Sequence, residues 1–409
     1  MIYFPLLPAW LATSPSNGLD LPFSLLLVFG SAKLLGTVFE RLGQPGLIGE
    51  ILAGVLLGPS VCNWVQPSEV LHALAEMGVM FLLFRVGLEV KAAELMQVGK
   101  IALGVAVLGV IVPFGMGWAI MAAAGVTHIE AIFVGAALVA TSVGITAQVL
   151  ASKGLLQARA SRTILAAAVI DDVLGLLVLA LVSSMAEGRV NLLRLAGTGL
   201  VAGGFTFLVA LYGTRTLQRV VPRIEKRMDS DSGQFHLALV LLFALSWLAV
   251  FVGVAAIVGA FLAGMALSET VDQRVHHFTQ GVSELLVPFF LVAIGLQLEL
   301  GGFRDPKTIV LTLAILAAAV VSKFVGCGLG AWKLGRADML RVGVGMVPRG
   351  EVGMVVAQIG LGLGVIEKPV YAVVVAMAVG TTLIAPPLLK LAYKNAAPGD
   401  LAAGALELP

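Results

Sequence analysis

The chain has 409 residues, 59% of them apolar and 12% charged, with a mean hydropathy of +1.01 and a net charge of +2. So little polar surface excludes a water-soluble globular protein, and the small charge imbalance gives no reason to expect a nucleic-acid partner. The solvent such a chain requires is lipid, with room for about a dozen crossings of roughly 20 residues each and no sizeable soluble domain.

Residues 1–20 hold no Lys or Arg and are broken by Pro5, Pro8 and Pro15. They lack the basic start of a cleavable signal and read as an exposed arm at the interface. Apolar runs separated by polar or Pro/Gly turns then predict an all-α membrane protein of about thirteen helices. These lie at 21–40, 46–62, 70–90, 101–124, 130–152, 160–185, 195–217, 235–251, 255–268, 282–299, 307–333, 339–364 and 369–393. An odd number of crossings puts the termini on opposite sides. Seventeen loop Lys and Arg residues then fall on one side and five (Arg189, Arg194, Arg304, Lys307 and Lys368) on the other. By the positive-inside rule the N-terminus is outside and the C-terminus cytoplasmic, as expected of a bacterial inner-membrane protein. The densest basic cluster, Arg215 to Arg227, precedes a polar MDSDSG stretch and reads as a cytoplasmic linker and topological anchor.

Two predicted helices are interrupted alike. The fifth reads VATSVGITAQVL, with Thr141, Ser142, Gly144 and Thr146 at its centre; the twelfth reads MVPRGEVGMVV, with Pro348, Arg349, Gly350, Glu351 and Gly353. The breaks are 207 residues apart, about half the chain. Paired interruptions in corresponding places point to an inverted-repeat transporter that holds its substrate between half-helices. Freed carbonyls and hydroxyls at such breaks offer oxygen ligands of the kind that hard alkali cations take. Arg349 and Glu351 read first as supports that neutralise the half-helix dipoles and each other, with substrate contact as the alternative.

The stretch ILAAAVIDDVLGLLVLALV sets Asp171 and Asp172 in mid-helix, where ionised carboxylates cost several kcal/mol. Two adjacent acids repel unless a cation compensates, and Lys323, isolated in TLAILAAAVVSKFVGCGLG, is the available one. Consecutive helical residues project about 100° apart. One acid can therefore hold the lysine while the other faces a water-filled cavity and takes a cation or a proton. Arg85 and Lys33 lie near helix ends and read as snorkelling cations, and Glu50 suits the positive start of the second helix. His276 and His277 read as ordinary loop-proximal residues, with a pH-sensing role as the alternative. Cys62 and Cys327 read as membrane thiols without metal-ligand spacing. No phosphate-binding or dinucleotide motif is present, so neither an enzyme nor a nucleotide-driven pump is indicated, and no cofactor is expected.

The segments GQPGLIGEILAGVLLGPS, ALVATSVGITAQVL, AAAVIDDVLGLLVLA and GVGMVPRGEVGMVVAQIGL together resemble the monovalent cation/proton antiporter superfamily, and most closely its NapA-type sodium/proton antiporters. The resemblance runs from about residue 20 to 393, and its specific part is the double Asp with the distant Lys. It implies a homodimer in which a panel-like dimerisation domain supports a core that moves as an elevator. Helices one and two (21–66) and eight and nine (235–275) would form the panel, and helices three to six (67–190) and ten to thirteen (276–395) the core side. Helix seven with its loop (191–234) would link them, with 396–409 as a tail. Residue by residue, the resemblance makes Asp172 the principal sodium- and proton-binding group and Asp171 the partner of Lys323 and a second sodium ligand. It sets Thr141 and Ser142 at the crossing. Asp-Asp with the lysine resembles the electrogenic class, exchanging sodium or lithium for protons. Potassium/proton exchange on the same site, and sodium-coupled uptake of an organic anion by a similar fold, are the rival readings.

Overall fold

The computed structural model describes residues 20–186, 192–225, 233–298, 301, 303 and 305–394, and these are helical, with no strand among them. Residues 1–19 of the arm predicted at 1–20, Arg189, Arg304 and the tail lie outside the described residues, and Asp20 opens α1. The helices are α1 (Asp20–Arg41), α2 (Gly46–Leu57), α3 (Glu69–Leu88), α4 (Ala92–Ala123), α5 (His128–Ala137), α6 (Val143–Ser152), α7 (Arg159–Ala186) and α8 (Leu192–Glu225). They continue with α9 (Gly233–Phe251), α10 (Ala256–Leu267), α11 (Gln273–Leu296), α12 (Pro306–Gly330), α13 (Arg336–Gly345), α14 (Glu351–Gly362) and α15 (Lys368–Ala392). Among the described residues nine are long and apolar enough to cross a membrane by length and composition, and α2, α5, α6, α10 and α14 are shorter apolar helices. His276 and His277 sit in the opening turns of α11.

Local chemistry accounts for several boundaries. Ser68 caps α3 by accepting from the Leu71 N–H, and Thr127 caps α5 by accepting from the Glu130 N–H. Asp305 caps α12, with Pro306 in the first turn, where its missing N–H costs nothing. The fifth and twelfth predicted helices are each two half-helices, α5–α6 and α13–α14. At the second break, between Gly345 and Glu351, Pro348 has no N–H to give and its ring disfavours helical backbone at Val347, which favours the interruption there.

The helices sort into two packed groups. In one, α1 packs on α2, α2 on α11, α3 on both α10 and α11, and α9 on α10; in the other, α4 packs on α5, α7 and α12, and α12 on α13 and α15. α8 touches both, through α10 and α7. The packing thus groups α3 and α11 with α2, α9 and α10, whereas the resemblance counted the third and tenth helices on the core side. The reason lies in small residues. A Cβ on Gly54 of α2 would stand 2.1 Å from the Val292 carbonyl oxygen of α11, and one on Gly264 of α10 would stand 2.1 Å from that of Phe84 in α3. Only glycine permits such backbone approach, which is how helices gain dispersion contact in lipid.

These contacts recur between the halves of the chain. LIGEILAGVLL of α2 and IVGAFLAGMAL of α10 align with an offset of 210 residues. Gly49 abuts the Leu35 carbonyl as Gly259 abuts that of Leu245, and the turns before the two helices both carry a left-handed glycine, Gly43 (φ 72°) and Gly253 (φ 88°). The pairs α1–α2 and α9–α10, α2–α11 and α10–α3, and α4–α7 and α12–α15 correspond in the same way.

Candidate functional site

α7 carries Asp171 into the second group and Asp172 towards the seam with the first. Asp171 is 1% exposed and Lys323 of α12 is 0% exposed. The Lys323 ammonium donates to both Asp171 carboxylate oxygens, at 3.2 Å to Oδ1 and 3.1 Å to Oδ2. A lysine reaches this depth because Gly109 on α4 leaves space for it; a Cβ there would stand 2.7 Å from Cys327 Sγ and 3.3 Å from Lys323 Nζ. Pairing with two hydrogen bonds is what makes these buried charges tolerable, since either alone carries a desolvation cost of several kcal/mol. The pair ties α7 to α12, both of which pack on α4.

Asp172 is only partly buried. It lines a cleft with Leu83 of α3, Val143 of α6, Val169 of α7, and Val258 and Phe261 of α10. The remaining lining is apolar, so the carboxylate is the polar feature of the cleft. The two acids of one sequence motif therefore stand in different environments, one locked to a lysine inside a group of helices, the other at the boundary between groups. That boundary is bridged elsewhere by Gln157, whose amide donates to the Glu89 carbonyl at the end of α3, and by Lys390 of α15, whose ammonium donates to the Gly43 carbonyl in the α1–α2 turn.

The two helix breaks cross. The Ser142 N–H donates to the Pro348 carbonyl at 2.8 Å, and the Thr146 hydroxyl donates to the Gly345 carbonyl at 2.6 Å. Arg349 is 0% exposed. Its guanidinium donates to the carbonyls of Val139 (3.3 Å) and Ala140 (3.1 Å) beyond the end of α5, and to that of Ala319 (3.1 Å) in α12. Cations suit the negative end of a half-helix, and the guanidinium supplies several donors in a fixed fork. The sequence offered those freed carbonyls as ion ligands, but two of them already accept from Arg349. Thr141 and Ser142 are both buried, and Thr141 Oγ1 has no hydrogen-bond partner among the described residues. Glu351 begins α14, and its side chain lies outside the described residues.

Of the cations expected to snorkel, Lys33 pairs with Glu50 at 3.1 Å and Arg85 stands 3.8 Å from Glu89. Glu50 is thus engaged by an ion pair across the α1–α2 contact in addition to its place near the start of α2. Sequence reasoning passed over Gly109, Thr381 and Thr382, the last two of which bind the Arg349 backbone. The signal for the threonines was present: they follow Asp171 and Asp172 by 210 residues, the same offset that relates α10 to α2.

Crossed half-helices beside a mid-helix acid pair and a buried lysine, in an apolar chain whose described residues hold no strand, define a membrane transporter with its polar centre inside the bundle. Comparison with known proteins agrees. The chain belongs to the sodium/hydrogen exchanger family (transmembrane region), whose profile matches residues 26–394, and it is therefore an integral membrane transporter of the secondary type and no enzyme. It is 33% identical to the Na(+)/H(+)-K(+) antiporter GerN of Bacillus cereus, over 91% of this chain and 96% of that one. To the high-affinity Na(+)/H(+) antiporter NhaS3 of Synechocystis it is 32% identical, over 91% and 90%. The fold is similar to that of the sodium proton antiporter MjNhaP1 from Methanocaldococcus jannaschii, with a TM-score of 0.70, 18% identity, and coverage of 96% of this chain and all of the other.

Proposed function

We propose that this protein exchanges sodium for protons across a bacterial plasma membrane, with Asp172 as the carboxylate at which cation and proton compete. The observation that carries the reading is the division of the acid pair: Asp171 is bound by Lys323, while Asp172 lines a cleft between the two groups of helices. An ionised carboxylate crosses a hydrophobic barrier cheaply only when a proton or a cation neutralises it. The empty, charged site therefore resists leak, and the loaded site moves. Thr141, whose hydroxyl is buried without a hydrogen-bond partner among the described residues, and Ser142 complete the site on this reading, and Asp171 is a second sodium ligand only when it leaves Lys323. Arg349 supports the crossing, and Glu351 shares that role.

The movement we infer is an elevator, in which α4–α7 with α12–α15 slide against α1–α3 with α9–α11, joined by α8. The packing supports this division, because each group holds its own close contacts and α8 touches both. Two repeats, 210 residues apart and inverted, give thirteen crossings when each broken pair counts once, with the N-terminus outside and the C-terminus cytoplasmic. The loop charges support that orientation. The first group is the dimerisation panel of a homodimer, and exchange is electrogenic, as the resemblance of Asp171 and Asp172 with Lys323 to the electrogenic class implies.

Proton flux in proteoliposomes, followed with a pH-sensitive dye while sodium, lithium and potassium are supplied in turn, tests the reading. Sodium and lithium are expected to drive flux; potassium is the second cation to examine, because it stands in the name of GerN. Asp172→Asn is expected to abolish exchange, and full exchange by that variant overturns the assignment. Sodium uptake that needs an organic anion and moves no protons favours symport instead.

A further inference from the structure

Arg349 is gripped through its own peptide as well as through its side chain. Its N–H donates to Thr381 Oγ1 at 3.1 Å, and its carbonyl accepts from the Thr382 hydroxyl at 2.8 Å. Both threonines lie in α15 and are fully buried, and the Thr381 hydroxyl donates in turn to the Ala378 carbonyl at 3.0 Å. An unwound peptide at this depth has no water to turn to, so its two polar groups depend on side chains from a neighbouring helix. At the far end of the same residue the guanidinium holds the carbonyls of Val139 and Ala140, directly before Thr141 and Ser142. One continuous set of hydrogen bonds therefore runs from the α15 hydroxyls, through Arg349, to the segment that joins α5 to α6. The Pro348–Arg349 peptide is held at both ends, since its Pro348 carbonyl accepts from the Ser142 N–H.

We propose that Thr381 and Thr382 are positioning residues for the exchange reaction. They hold the Arg349 peptide in one orientation, so that the guanidinium fixes the 139–142 segment and with it the Thr141 and Ser142 oxygens. The inference rests on the exchange reading above. Neither threonine contacts the transported ion; each acts through Arg349. Their offset of 210 residues from Asp171 and Asp172 gives the arrangement its logic. In the first half of the chain this pair of positions carries two carboxylates, and in the second half two hydroxyls that bind a peptide. The second half thus contributes the frame.

The test is the sodium dependence of proton flux by reconstituted Thr382→Val, Thr382→Ser and Thr381→Val. Thr382→Val is expected to raise the half-saturating sodium concentration about tenfold, which is the loss of about 1.4 kcal/mol from one buried hydrogen bond expressed as a ratio. The maximal rate should change far less. Thr382→Ser keeps the hydroxyl and should restore half-saturation to within about twofold of the original, and Thr381→Val should raise it as Thr382→Val does. A poorly packed but correctly positioned site would show less active protein with an unchanged half-saturation, and that result overturns the proposal. So does a Ser variant as impaired as the Val variant. If Thr382→Val does not reconstitute, Thr382→Ala is examined in detergent by the sodium concentration that raises its unfolding midpoint; a tenfold displacement supports the proposal and none overturns it. Absence of sodium-driven flux from the unsubstituted protein would count against the exchange reading, while the sodium-dependent unfolding midpoint would still decide this one.

Discussion

Breaking the Lys323–Asp171 pair from either side should cost far more than removing both charges together. The ammonium and carboxylate are 0% and 1% exposed and meet at 3.1 Å, so neither can turn to water when its partner is lost. Removing one member of a buried pair typically costs about 3–5 kcal/mol, most of it the penalty on the charge left behind, whereas apolar replacement of both can be nearly neutral. Asp171→Asn and Lys323→Met should therefore each lower stability by about 3–5 kcal/mol, and the double variant should recover at least about 2 kcal/mol of the sum. Denaturant unfolding of the four proteins in one detergent, followed by tryptophan fluorescence, measures the coupling. If the two single effects add to within about 0.5 kcal/mol in the double variant, the pair is not a unit and the division of labour between Asp171 and Asp172 loses its basis.

Gly109→Ala should act on the same pair indirectly. Its new methyl group would stand 2.7 Å from Cys327 Sγ, and overpacking of this kind costs about 1–3 kcal/mol. Adding Cys327→Ala removes that clash, so the double variant should unfold later than Gly109→Ala alone; a midpoint no better than that of the single variant refutes the steric account. Glu89, just beyond the last residue of α3, has its carboxyl pushed above the usual carboxylate range by burial, an effect that the neighbouring Arg85 only partly offsets. A raised folded-state pKa means that the neutral form is favoured on folding, so its contribution is full below the ordinary carboxylate pKa and lost as pH rises through the raised value. Glu89→Gln should consequently raise the unfolding midpoint at pH 7 and leave it nearly unchanged at pH 4, which a pH series of thermal melts checks.

Much of this arrangement was legible in the sequence because lipid makes polarity expensive. Charges that survive in an apolar run stand out, and Asp171, Asp172, Lys323 and Arg349 were all found on that ground alone. The helix breaks were legible for a related reason: hydroxyls with Gly144 at one place, and Pro348 with Gly350, Gly353 and two charges at the other, cluster polar and helix-weakening residues inside apolar runs about half the chain apart. The grouping of helices was not. Whether α3 packs with α4 or with α10 depends on where Gly54, Gly87, Gly264 and Gly295 let backbones touch, and glycine is too common in membrane helices for its role to be read off singly. Comparison of LIGEILAGVLL with IVGAFLAGMAL would have supplied it, since the repeat assigns each glycine a counterpart. Which freed carbonyls Arg349 engages was not legible: the sequence makes it a support for the half-helix dipoles, but its reach to Val139 and Ala140 depends on how the breaks cross.

The repeat also explains why one half of the molecule carries the acids. Backbone packing obeys the 210-residue correspondence closely, but side-chain chemistry does not: Glu50 pairs with Lys33 where its counterpart is Ala260, and Asp171 and Asp172 correspond to Thr381 and Thr382. The seam follows the same asymmetry. Gln157 and Lys390 bridge the two helix groups, whereas the counterpart of Lys390 is Ala180, which has no donor to offer the Gly253 turn. A transporter built from two alike halves needs their symmetry only in the backbone, so that two arrangements of the groups are close in energy. Its cargo site needs the opposite. Two acid pairs at one crossing would multiply the cost of buried charge; on the exchange reading proposed above, a second half that holds the crossing with neutral hydroxyls and one fixed guanidinium leaves Asp172 as the single carboxylate at the seam to be neutralised in each passage.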